Sequence, residues 1–206
     1  MKKAYAIIML AIFCFGLLII PAPTESAPCL SASQIEELRG RYPVYTQDPP
    51  NVDTYPVPFK KLCKRIDTFA YVEITGDIQY YSKNISMGDA AWDAKNGAAH
   101  KFYEYPAVVI SDTENKLKPG MEITIASSIM FYGYQPELSQ GMKIVFGTDV
   151  WQEDGRYSFS KIGTYYITED GFALSAFDEE LYDIKKPLSG VTKETLMQEL
   201  HKMLRW

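Results

Sequence analysis

The chain has few of the side chains that enzymes and metal sites most often use. Its 206 residues include only two histidines, His100 and His201, and three cysteines. A serine or cysteine nucleophile needs a base within hydrogen-bond reach, but His100 falls in a predicted loop and His201 on a predicted C-terminal helix. Neither a nucleophile elbow nor a phosphate-binding loop motif is present. The sequence therefore predicts no catalytic residue, no cofactor and no metal site.

The chain also lacks an excess of positive charge. It carries 21 lysines and arginines against 26 aspartates and glutamates, for a net charge of −5. A nucleic-acid-binding protein would show a basic face, so this class is excluded. Because 47% of the residues are apolar and only 23% are charged, the chain has enough apolar side chains for a folded core.

The N-terminus has the pattern of an export signal. Lys2 and Lys3 precede 17 uncharged residues, 4–20, and small residues follow up to Ala27. This pattern is typical of a cleaved secretory signal peptide, but the apolar run is also near the lower length limit of a membrane-spanning helix. Residues 1–27 are therefore predicted to be a signal peptide or, alternatively, an uncleaved anchor. In both cases the rest of the chain is expected outside the cytoplasm, either secreted or held at the membrane by residues 4–20.

Two cysteines remain after the leader, Cys29 and Cys63. In an oxidising compartment such a pair favours one disulfide. The alternative is two independent thiols. Two cysteines alone are too few for a structural zinc site.

The chain after the leader divides into two predicted regions. Residues 28–66 form an N-terminal segment with a short helix that opens at a capping-box pattern in 33–36, a proline-rich extended stretch over 41–58, and a second short helix over 59–65. Residues 67–206 form a β-barrel domain. It ends in an amphipathic helix that Thr192 can cap.

Residues 68–81 give the clearest structural signal in the sequence. Apolar and polar residues alternate there, which predicts a long, half-buried strand with Tyr71 facing outward. Gly76 lies on the apolar face in mid-strand and predicts a bend or bulge. The residues predicted to face the core are Ala70, Val72, Ile74, Ile78 and Tyr80.

Further strands are predicted downstream of this one. Residues 102–110 form a strand in which Pro106 indicates an edge position or a bulge, and alternating segments follow at 121–127 and 142–146. Asp154-Gly155 and Asp170-Gly171 are hairpin signals. The predicted fold is mainly β: an OB-like barrel of five to seven strands, with short N-terminal helices and a C-terminal amphipathic α-helix.

Three segments carry a family resemblance. They read LCKRIDTFAYVEITGDI at 62–78, KLKPGMEITI at 116–125 and GMKIVFG at 141–147. In this order they resemble secreted bacterial domains built on a TIMP-like or netrin-like OB barrel, over about residues 62–204. The resemblance implies the barrel fold. It does not imply protease inhibition, because the chain lacks the N-terminal Cys-x-Cys and the several disulfides of the inhibitors.

Aromatic residues are the candidate binding residues. Fifteen tyrosines are many for this length, and OB barrels bind ligands on one sheet face and in the neighbouring loops. Exposed aromatic rings stack on sugars or anchor partner proteins, although tyrosines also pack in strands. The predicted binding residues are Trp92, Tyr103, Tyr105, Tyr132 and Tyr134.

The sequence favours an exported, non-enzymatic binding module over two alternatives. Its expected partner is a protein or a cell-wall component. One alternative is a hydrolase that uses paired carboxylates, with candidates at Glu153-Asp154, Glu169-Asp170 and 178–180. The other is a structural protein that the uncleaved leader anchors in the membrane.

Overall fold

The computed structural model describes residues 28–50, 56–84, 99–149 and 155–205. The predicted leader and its cleavage site, as well as Trp92 and the Glu153-Asp154 pair, lie outside these ranges. Within them the chain forms three α-helices: α1 (Ala32–Leu38), α2 (Phe59–Cys63) and α3 (Lys193–Leu204). Helix α1 begins two residues earlier than predicted, because Ser31 rather than Ser33 caps it and makes a reciprocal capping box with Gln34.

The described residues also form eight strands. The four strand segments predicted at 68–81, 102–110, 121–127 and 142–146 are all present, although the first is divided in two. The strands are β1 (Thr68–Ile74), β2 (Gln79–Asn84), β3 (Ala99–Asp112), β4 (Glu122–Ser128), β5 (Lys143–Thr148), β6 (Arg156–Ser158), β7 (Thr164–Ile167) and β8 (Ala173–Ser175).

The break between β1 and β2 lies at the predicted glycine. Both strands pair with β3, with Ile74 opposite Ala107 and Gln79 opposite Glu104. Five steps along the first strand therefore face three steps along β3, so the extra residues bulge out around Gly76. The N–H of Thr75 donates to the carbonyl of Pro106 at this point. The predicted bend at Gly76 and the bulge at Pro106 are the two sides of one irregularity.

All eight strands belong to one sheet. Its order is β6-β4-β3-β1-β5-β7-β8, with β2 beside β3. The pairings are antiparallel except that between β4 and β6, which is parallel. The prediction of a mainly β fold with a C-terminal helix is confirmed. Among the described strands there are eight rather than five to seven, and no pairing between β6 and β8 closes the sheet into a barrel.

Both faces of the central sheet are buried. One face forms the inner cluster, and the alternation of β1 points Ala70, Val72 and Ile74 into it. The inner cluster consists of Tyr42, Ala70, Val72, Ile74, Tyr103, Tyr105, Ala107, Val109, Leu117, Ile123, Ile125, Leu138, Ile144, Phe146, Tyr157, Phe159, Tyr166, Leu174 and Ala176.

The other face forms the outer cluster, which the two later helices cover. Thr192 caps α3 as predicted, and this helix buries Leu196 and Leu200 against the sheet. The prediction that Tyr71 faces outward is right about direction, but its side chain is buried in this cluster. The outer cluster consists of Phe59, Cys63, Phe69, Tyr71, Val145, Tyr165, Ile167, Ala173, Phe177, Tyr182, Ile184, Leu188, Leu196 and Leu200.

Candidate functional site

Two of the predicted binding residues are core residues instead. Tyr103 and Tyr105 are each only 1% exposed and belong to the inner cluster. The prediction that they form a binding surface is wrong, because odd-numbered residues of β3 face the core there. The sequence did carry this signal, since Tyr103, Tyr105 and Ala107 alternate with the polar Glu104.

The two buried tyrosines instead hold the loop that follows β4. The Tyr103 hydroxyl donates to Oε1 of Gln135 at 3.2 Å, and the backbone N–H of Leu138 donates to the Tyr105 hydroxyl at 3.3 Å. Burial raises the pKa of Tyr105 to about 12 and raises the pKa of Tyr103 further. Both hydroxyls therefore stay neutral at physiological pH and anchor residues 129–138 on the core.

The anchored loop presents another predicted residue, Tyr132, at the surface. It follows a 3₁₀ helix (Ile129–Phe131), and its side chain is 43% exposed. Its ring packs edge-on against Tyr103, with ring centroids 5.6 Å apart, and lies 6.4 Å from the ring of Tyr80. A hydrogen bond with the Tyr80 side chain raises the pKa of Tyr132. The fifth predicted residue, Tyr134, lies two residues further on and is half-buried.

Tyr80 was predicted to lie in the core, and this prediction is wrong. It lies opposite Tyr103 and so points to the inner side of the sheet, as its alternation indicates. However, β5 pairs with β1 only as far as Glu73. Since β2 extends beyond that point, Tyr80 lies at the rim and is 60% exposed.

Tyr80 and Tyr132 are accompanied by two more exposed apolar side chains in the 3₁₀ helix, and we call these four residues the tyrosine patch. Seven large apolar side chains are exposed among the described residues, and four of them belong here. Exposed apolar groups that lie together often mark interaction sites, whereas single ones are common on any protein. The tyrosine patch consists of Tyr80, Ile129, Met130 and Tyr132.

The opposite side of β2 is held by a stacked arrangement. The Tyr81 ring stacks on Phe102 with centroids 5.1 Å apart, and the Arg156 guanidinium lies 4.1 Å from the centroid of the Tyr81 ring. Arg156 also donates from Nε to Oε2 of Glu104 at 2.6 Å. These contacts tie β2, β3 and β6 together. They therefore support the strand that carries Tyr80.

Three of the carboxylates considered for hydrolysis have structural partners in the described part of the chain. Glu169 pairs with Arg41 at 2.8 Å on the surface, and Asp178 accepts hydrogen bonds from two backbone N–H groups of the turn that follows it. Glu179 is buried and accepts hydrogen bonds from the backbone of Leu188 and Ser189. Each of these groups therefore stabilises a turn, a loop or a surface contact.

The two cysteines do not form the predicted disulfide, and both are free. Cys29 is exposed and lies in a single bridge with Val191, whereas Cys63 is buried in the outer cluster. The pairing prediction is therefore wrong. Burial raises the pKa of the Cys63 thiol to about 11, so this thiol stays protonated and unreactive.

A cleft of about 540 Å³ lies at the other end of the sheet, near the start of α3. Arg41, Lys143 and Lys193 line it, and each of them pairs with a carboxylate. Each of the three cations in this cleft therefore already has an acidic partner.

Across the described ranges, no group of three or more histidine, cysteine or acidic side chains is placed to hold a metal ion. In that part of the chain no helix is both long and apolar enough to span a membrane. No protein-family model matches the chain, and no curated protein matches it.

Proposed function

We propose that the protein is an exported, non-enzymatic binding module that recognises a partner protein through the tyrosine patch. The observation that carries this proposal is the concentration of four exposed apolar side chains on two adjoining segments. Tyrosine and other aromatic residues contribute strongly to protein interfaces because they bury much area with few rotatable bonds.

The contacts that hold the tyrosine patch in place favour a binding role for it. Tyr103 and Tyr105 fix the loop from below, and Tyr132 contacts both Tyr80 and Tyr103. A surface that is ordered before binding loses less conformational entropy when the partner docks. This preorganisation is what a recognition surface requires.

The fold and the location are parts of the same proposal. An OB-like module is supported by the bent first strand, by the C-terminal helix on the outer face and by the segments that resemble TIMP-like domains. Export is supported by the leader pattern in residues 1–27.

Site-specific crosslinking in producing cells tests the proposal. A photoreactive phenylalanine analogue at position 132 is expected to give a covalent adduct with another protein. The same analogue at Leu181, which is exposed elsewhere, serves as the control. Adduct formation at 132 should fall about tenfold or more when Tyr80 is changed to serine, because interface tyrosines contribute on the order of 1–3 kcal/mol.

Two results would contradict the proposal. One is the absence of a protein adduct at 132, and the other is the same adduct at both positions. The thermal midpoint of Tyr80→Ser should stay close to that of the wild type, because this side chain is mostly exposed.

A further inference from the structure

Strand β2 is an edge strand. Among the described strands it pairs with β3 alone, and β5, which pairs with the corresponding edge of β1, reaches only as far as Glu73. The backbone groups on one side of β2 therefore have no described strand as neighbour. Such an edge is a template on which another extended chain can form hydrogen bonds.

The direction of the ladder shows which residues face this edge. Pro106 accepts from Thr75, so even-numbered residues of β3 direct their backbone groups toward β1 and β2. Along a regular strand, the N–H and C=O groups of successive residues point alternately to one edge and to the other. Strand β3 is regular from Phe102 to Val108, because its register with β4 is continuous.

The same alternation carries over to β2. Gln79 and Tyr81, opposite Glu104 and Phe102, bond to β3. Tyr80 and Ser82 then direct their N–H and C=O groups away from the sheet. Neither residue makes a backbone bond to a described turn or loop.

The edge at β8 differs from the edge at β2. The N–H of Gly190 donates to the carbonyl of Ala173 at 2.7 Å, and the N–H of Ala173 donates to the carbonyl of Val191 at 2.8 Å. The chain thus covers the β8 edge with its own backbone. The six-residue strand β2, by contrast, has no described strand or loop on one edge, beside the tyrosine patch.

Lys101 lies in β3, one strand in from this edge. Lys101 pairs with Ser82, so its side chain lies on the same face of the sheet as Tyr80. It is exposed and forms none of the ion pairs found among the described residues. This face of the sheet therefore presents apolar groups near Tyr80 and the positive charge of Lys101 opposite Ser82, two residues further along β2.

We propose that the partner binds as an extended strand that adds to β2, with an apolar side chain and an acidic side chain two residues apart. The inference rests on the proposed function of the tyrosine patch and names the chemistry of its ligand. Main-chain bonds to Tyr80 and Ser82 hold the segment. Residues two apart in a strand share a face, so the apolar side chain contacts the patch and the carboxylate pairs with Lys101.

Proline at position 82 provides a selective test. The Ser82 N–H points away from the sheet, so Ser82→Pro removes an outward donor and leaves the bonds between β2 and β3 in place. Proline is tolerated in edge strands in this orientation. Ser82→Ala, which keeps the N–H, is the matched control.

The probe is a library of random peptides displayed on phage and selected on the immobilised full-length chain. Enriched peptides are expected to pair an apolar with an acidic residue two positions apart. A synthetic copy of one such peptide should bind Ser82→Pro at least about tenfold more weakly than wild type, because one strand bond and its neighbours are lost. Ser82→Ala should bind within about twofold. Circular dichroism and the thermal midpoint should show both variants folded.

The outcomes separate this inference from the proposed function. If the selected peptides lose affinity on Tyr80→Ser but bind Ser82→Pro as tightly as wild type, the patch is a binding site and strand addition is overturned. Enrichment of peptides without the spaced apolar and acidic pair overturns it as well. If no peptide is enriched while crosslinking at position 132 succeeds, the partner does not bind as a short strand.

Discussion

The ring of Pro106 occupies the space that a side chain at Gly76 would need. A Cβ atom at Gly76 would lie 2.9 Å from Cγ of Pro106. Proline has no N–H to give to the strand beside it, and the chain bulges at this point rather than continuing the ladder. The bulge separates β1, whose other edge pairs with β5, from β2, whose other edge pairs with no described strand.

We expect Gly76→Ala to destabilise the protein by about 1–3 kcal/mol, because the added methyl group meets a rigid ring. Denaturant titration measures the change. Gly40→Ala is the control, since nothing lies within 4 Å of a Cβ atom there. In the double variant Gly76→Ala/Pro106→Ala the two costs should sum to more than the observed loss; simple additivity would show that the two residues do not interact.

Ile74 and Glu73 are neighbours in β1 but have opposite environments. Ile74 is fully buried in the inner cluster, while Glu73 forms a surface pair with Lys143 at 3.7 Å. Ile74→Asp should unfold the domain, because an unpaired buried charge costs several kcal/mol. Glu73→Ala should cost less than about 1 kcal/mol. Circular dichroism during thermal unfolding distinguishes them, and an unchanged midpoint in Ile74→Asp would contradict the described core.

Glu179 holds the loop that precedes α3. Its carboxylate accepts from the backbone N–H of Leu188 at 2.8 Å and of Ser189 at 3.1 Å, and from the Tyr165 hydroxyl at 3.3 Å. Glu179→Ala should destabilise by roughly 2–4 kcal/mol, since these buried donors lose their acceptor. The adjacent Glu180 is exposed, so Glu180→Ala should change stability by less than about 0.5 kcal/mol. Equal losses in chemical denaturation would argue against this role.

The two cysteines should differ in reactivity. In the folded protein, iodoacetamide is expected to label the exposed Cys29, while the buried Cys63 reacts only after unfolding. Peptide mapping by mass spectrometry reads each position separately. A disulfide-linked peptide that contains Cys29 and Cys63 in a non-reduced digest would contradict the structure.

Stability should decrease at alkaline pH. Burial raises the pKa of Cys63 to about 11 and that of Tyr105 to about 12, so the unfolded chain loses these protons first. The stabilising effect is therefore complete below about pH 8.5, the ordinary thiol pKa, and is lost as pH rises through the raised values. Urea midpoints measured from pH 8 to 11 should fall. The slope should be shallower in Cys63→Ala, and an identical slope would show that this thiol does not contribute.

The sequence predicted best where one pattern repeats over a whole element. The alternation in β1 placed Ala70, Val72 and Ile74 correctly, and Thr192 correctly marked the start of α3. It failed at Tyr80 because alternation predicts only the side of the sheet toward which a residue points. Whether a side chain on that side is covered depends on distant segments. Strand β5, which begins more than sixty residues after Tyr80, pairs with β1 only as far as Glu73.

Only part of the candidate site could be predicted from the sequence. Tyr132 was found as an exposed loop aromatic, but Tyr103 and Tyr105 were placed at the surface although they support that loop from the core. Ile129, Met130 and the open edge of β2 were not anticipated. An exposed apolar side chain has the same sequence pattern as a buried one.

The sequence by itself determined the mainly β character, the bend at Gly76 and the amphipathic C-terminal helix, because each depends on local backbone preference and on the period of apolar residues. The tertiary structure alone decided which tyrosines are buried, that Cys29 and Cys63 are free thiols, and that no described strand pairs with the outer edge of β2. These features depend on which distant strands and helices cover each face and edge, and burial and pairing between distant segments are set by the whole fold.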